Sequence, residues 1–73
     1  MITERKTVKL VREGRYMAEV EVTLLDDGHE WAPFVAACDV RKLDDVRLAL
    51  RRGDLAAAAQ LSRVYELTPV AAE

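Results

Sequence analysis

Apolar and polar residues alternate with a period of two along much of the stretch from Thr7 to Leu25. In its second half Tyr16, Ala18, Val20, Val22 and Leu24 alternate with Met17, Glu19, Glu21, Thr23 and Leu25, the mark of a strand with one buried and one wet face. The first half, Thr7-Val8-Lys9-Leu10-Val11, is shorter, and Gly14 marks the turn of an antiparallel hairpin over 7–25. Pairing chemistry favours the register that sets Val8 opposite Val20, Leu10 opposite Ala18, Val11 opposite Met17 and Lys9 opposite Glu19. A shift of one residue would set Val8 against Glu19 or Glu21. The favoured register needs an odd-numbered loop, however, and a three-residue loop prefers its glycine third, at the position of Arg15 rather than Gly14.

The alternation breaks at Asp26-Asp27-Gly28, which is turn chemistry, and Pro33 keeps Ala32 extended. Residues 26–35 therefore read as an irregular connection, with Trp31 expected to cover one end of the core. Helical periodicity begins near Cys38. Ala36, Val40, Leu43, Val46 and Leu50 fall within a sector of roughly 120° on a helix. Asp39 suits the first turn and Arg51-Arg52 the last. Gly53 then fits a left-handed helix end, and Asp54 fits the cap of a second helix through the alanine run, with Leu55, Ala58, Ala59 and Ser62 on one side. The helix pair spans 36–62. From Arg63 the period returns to two, with Tyr65 and Leu67 alternating with Val64, Glu66 and Thr68. This predicts a short third strand over 63–69, ended by Pro69, and a frayed tail over 70–73. The chain reads as a single α+β domain of ββααβ order, its two-helix hairpin packed on one face of a small sheet.

Composition bounds what such a domain can do. At 73 residues the chain is near the lower limit for a self-sufficient core, and with two Tyr, one Trp and one Phe that core must be mostly Val, Leu and Ala. Marginal monomer stability relieved by self-association is the expectation at this size. The net charge of −2 gives no global basic field. Its distribution is uneven: Arg5, Lys6, Lys9, Arg12 and Arg15 are met only by Glu13 within residues 5–15, whereas residues 19–30 carry acids and no Lys or Arg. The single cysteine, Cys38, suits a reducing cytoplasm. The N-terminus has charges where a signal peptide needs an apolar run, and no stretch approaches a bilayer span.

Five candidate motifs compete for function. Arg52-Gly53-Asp54 has the letters of an adhesion signal, but dipole compensation, helix closure and capping account for all three residues. The spacing from Ala49 to Gly53 resembles a DNA-binding helix-turn-helix, yet the second helix offers only Ala56 to Ala59 and Gln60 to a groove. A tetratricopeptide-type helix pair is also similar, but that architecture needs several copies. Asp26, Asp27, His29 and Glu30 carry metal-ligating groups without a second His or Cys at ligand spacing. Cys38 and His29 could act as nucleophile and base only if the fold joined them. The chain is thus read as no enzyme, with no cofactor, metal site or membrane partner.

Two surfaces remain. The hairpin's outer face is expected to carry Arg5, Lys9 and, near the turn, Arg12 or Arg15, partly neutralised by Glu19 and Glu21. Leu48 projects away from the helix core stripe, among Arg41, Asp44, Asp45 and Arg52. Open sheet edges complete the set. The expected function is a small protein-interaction module, binding another protein or a second copy as a homodimer. The alternative is a small nucleic-acid-associated regulator of the antitoxin or repressor kind, touching phosphate through the basic hairpin.

Overall fold

The computed structural model describes residues 2–28 and 33–71. Trp31, His29 and Glu30 lie outside the described residues, and with them the expected core cover and half of the metal-ligating cluster. The chain forms β1 (Thr3–Glu13), β2 (Tyr16–Asp26), β3 (Phe34–Val35), α1 (Ala37–Arg51), α2 (Leu55–Leu61) and β4 (Arg63–Glu66). This is the α+β arrangement expected, with one addition: the connection after the hairpin contains the two-residue strand β3. The sheet is antiparallel throughout. β2 is central, with β1 along one side and the short β3 and β4 sharing the other. The last strand also stops three residues earlier than its alternation suggests, at Glu66.

The hairpin differs in register from the expectation. Val8 faces Glu21, Lys9 faces Val20, Leu10 faces Glu19 and Val11 faces Ala18. Turn chemistry wins over cross-strand pairing here. Glu13 pairs with Tyr16, so the loop is the two residues Gly14-Arg15, and Gly14 has φ +60° while Arg15 does not enter the positive region. A first loop residue of that kind defines the glycine-first two-residue turn, whose twist matches the strands. The one-residue slip exchanges the faces of β1. Thr7, Lys9 and Val11 now share the helix-covered side with Val22, Val20 and Ala18, while Val8 and Leu10 point to the opposite side.

The core is built from Val11, Ala18, Val20, Val22, Val46, Ala49, Leu50 and Ala58, with Tyr16, Leu43 and Val64 packed against it. The α1 stripe is rotated from the expected one. Ala49 joins Val46 and Leu50 inside, and Val40 is exposed. Asp39 explains the rotation. Its Oδ2 accepts the backbone N–H of Thr23 at 2.7 Å, and the Ala36 N–H donates to the Thr23 carbonyl at 3.0 Å. Together they occupy the outward positions of β2 where a longer β3 would have paired. At the other end of α1, Arg51 Nε donates to Glu13 Oε1 at 2.6 Å. The helix therefore runs antiparallel to β2 and is tied to the sheet at both ends.

The corner between the helices follows the sequence reading. Gly53 has φ +72°. The Gly53 N–H donates to the Leu50 carbonyl and the Asp54 N–H to the Ala49 carbonyl, the paired bonds of a Schellman closure. The Asp54 side chain accepts the Ala57 N–H at 3.1 Å. In α2 the inward residues are Ala57 and Ala58, whereas Leu55 and Ala59 are exposed. Small side chains let this helix lie close to β4.

Candidate interaction surface

The helix-free side of the sheet is the consequence of the hairpin register. Rows across the strands can be read from the pairing: Arg12, Met17 and Tyr65; Leu10, Glu19 and Arg63; Val8 and Glu21; Lys6 and Thr23; Glu4, Leu25 and Phe34. The Lys6 ammonium donating to Thr23 Oγ1 at 3.0 Å fixes that row on this side. Val8 is 50% and Leu10 63% exposed, and Phe34 and Tyr65 are exposed as well. Sequence reasoning placed Val8 and Leu10 in the core, and so missed this surface. The glycine position in the loop was the signal that could have found it.

The edge of β1 matters as much as its face. Among the described residues β1 pairs with β2 alone. In a two-residue hairpin the closing pair, Glu13 and Tyr16, exchanges its backbone bonds, so odd residues of β1 direct N–H and C=O towards β2. The outward bonds of Thr23, an odd residue of β2, agree with that parity. Glu4, Lys6, Val8, Leu10 and Arg12 therefore present their backbone groups to the free edge. Val8 and Leu10 combine an outward-facing backbone with an exposed apolar side chain.

The four basic residues singled out from the sequence are separated. Arg5 and Lys9 lie on the helix side, opposite Leu24 and Val20, and not on the outer face opposite acids. Arg12 lies on the outer side, and Arg15 is in the turn, where its guanidinium is 3.4 Å from Glu66. The structure brings the turn together with the helix corner: Gly14 and Arg15 border two adjoining open depressions, one lined also by Arg12 and Glu66, the other by Glu13, Arg51 and Arg52. Of the acids there, Glu13 binds Arg51 and Glu66 binds Arg15. Leu48 stands 47% exposed on the outside of α1, on the side where Arg47 and Asp44 form an ion pair at 3.5 Å.

Asp39 has a structural task that shows in its titration. The Thr23 N–H outweighs the cost of its partial burial and, with the Lys42 ammonium 3.5 Å away, holds it below the ordinary carboxylate value. Cys38 is exposed in the first turn of α1. Among the described residues no three His, Cys, Asp or Glu side chains converge on a possible cation position. No helix among them is long and apolar enough to cross a membrane.

Among the described residues the fold and surface define a small α+β domain with one long open sheet edge, that of β1, and a second edge made of the short β3 and β4. Comparison with protein-family models, with curated proteins and with solved structures yields no match.

Proposed function

We propose that this chain is a protein-interaction module whose working surface is the free edge of β1 and the apolar side chains beside it. The observation that carries the reading is the coincidence of Val8 and Leu10, both exposed, with a strand eleven residues long that, among the described residues, is paired on one side only. A long, apolar, uncovered edge is what strand addition uses: backbone bonds give affinity and alternate side chains give specificity. Lys6, Arg5 and Lys9 give the edge charges that discourage indiscriminate pairing.

The test is photo-crosslinking in cells. Benzoylphenylalanine replacing Leu10 should yield an adduct with a protein, whereas the same group at Leu48 should not. Adducts from Leu48 alone would move the surface to α1. Absence of adducts from both positions would sink the reading.

A second reading, a nucleic-acid-associated regulator, draws on the turn end, where Arg12, Arg15, Arg51 and Arg52 gather around two acids. It requires duplex binding that weakens steeply with salt, because phosphate contacts release counterions. Salt-independent or absent binding to a random duplex dismisses it.

A further inference from the structure

We infer that the occupant of the β1 edge is β1 of a second copy of this chain, antiparallel and centred on Val8, joining two four-stranded sheets into one of eight. The inference rests on the reading of that edge as a docking surface and adds the identity of what docks there.

Symmetry restricts the choices. A two-fold axis perpendicular to the sheet makes the two β1 strands antiparallel, keeps both helix layers on one side, and pairs even residues with even ones. Charge then selects among the registers. Centred on Val8, Glu4 faces Arg12 of the second copy, Lys6 faces Leu10, and Val8 faces its own twin. On the helix side Thr3 faces Glu13, Arg5 faces Val11, and Thr7 faces Lys9. No like charges stand directly opposite. Centring on Lys9 instead sets Lys9 against Lys9 and Lys6 against Arg12; centring on Thr7 sets Arg5 against Lys9. Like charges opposite each other destabilise a strand pair. Centring on Leu10 avoids such clashes but loses both Glu4–Arg12 pairs and shortens the overlap.

The contact is large enough to matter. Five residues on each copy, Glu4 to Arg12 at alternate positions, exchange backbone bonds and give about ten of them, the number a standard protein interface carries. The pairing also places Val8 and Leu10 of both copies in one cluster on the helix-free side. Its costs are the diagonal approaches of like charges, Lys9 to its twin, Lys6 to Arg12 and Arg5 to Lys9 of the second copy, about 7–8 Å apart at the backbone, which the diagonal approach of Arg5 to Glu13 offsets in part.

Sedimentation equilibrium of the purified chain tests the inference. The native chain should approach twice the monomer mass as concentration rises through the micromolar range. Glu4→Arg and Arg12→Glu should each weaken the dimer roughly tenfold or more, since each sets like charges opposite at both ends. An equimolar mixture of the two variants should restore it, because every Arg at position 4 or 12 then meets a Glu. Val8→Pro should abolish the dimer while its hairpin survives, the lost N–H being one that faces outward. If Val8→Pro does not fold, the charge exchange carries the decision. A native monomer at millimolar concentration, or charge variants that dimerise like the native chain or fail to recover on mixing, overturns the inference. A monomer whose position 10 still crosslinks to a different protein overturns self-pairing alone. A monomer with no adduct removes the docking surface too.

Discussion

Gly53 and Asp39 show how far single residues could be read. Gly53 is legible because only a residue without Cβ adopts φ +72° at no cost, and the Arg-Gly-Asp letters spell the closure and the cap together. Open space surrounds the position a Cβ would take. Gly53→Ala should thus destabilise through backbone strain alone, by about 1 kcal/mol, with denaturant unfolding as the check. An unchanged midpoint would contradict it. Asp39 was legible only as a helix-dipole residue, since its bond to Thr23 spans the two layers and leaves no trace in local sequence. Its folded-state affinity for a proton is lowered, so its contribution to stability is complete well above the ordinary value of 3.8 and is lost as pH falls below that value and through the folded one. The stability of the Asp39→Asn variant should accordingly approach that of the native chain at acid pH and fall behind it near neutrality. A constant difference across the range would remove the proposed linkage.

At the level of elements, periodicity identified the hairpin, both helices and the last strand. What it could not fix was which side of β1 faces the helices. Val8 and Leu10 have the right neighbours for the core in one register, and the turn glycine dictates the other. The β-period is two, so one residue of slip converts a core side chain into a surface one. The α1 stripe failed for a related reason: a helix sector 120° wide can rotate by one position when a polar tie such as Asp39 decides its docking. Strand β3 was missed because two residues carry no period. The register gives a direct prediction for dilute, monomeric protein. Val8→Thr should change unfolding free energy by no more than about 0.5 kcal/mol, as surface changes do. Val20→Ala should cost about 2 kcal/mol, because it removes two methyl groups from a fully buried side chain at the centre of the core. Equal losses from both substitutions would restore the rejected register.

As a whole the molecule is flat and long. Its extents are 50 × 32 × 14 Å and its radius of gyration is 14.8 Å, against about 11 Å for a compact chain of this length. The cause is visible in the layers: β1 and β2 are eleven residues each, while the helices that cover them bury only Val46, Ala49, Leu50 and Ala58. A thin domain with a core of Val, Leu and Ala gains stability by adding surface, and its longest unpaired surface is the β1 edge. The candidate residues read from the sequence named that strand for its charges, Arg5, Lys9 and Arg12, and overlooked its apolar even positions. Amide hydrogen exchange along β1 over a range of protein concentrations tests this account most directly. In dilute solution the amides of Thr7, Lys9 and Val11 should be protected and those of Lys6, Val8 and Leu10 should exchange freely; with rising concentration the second set should gain protection in step with dimer formation. Free exchange at Lys6, Val8 and Leu10 at every concentration, or protection there in a proven monomer, would contradict it.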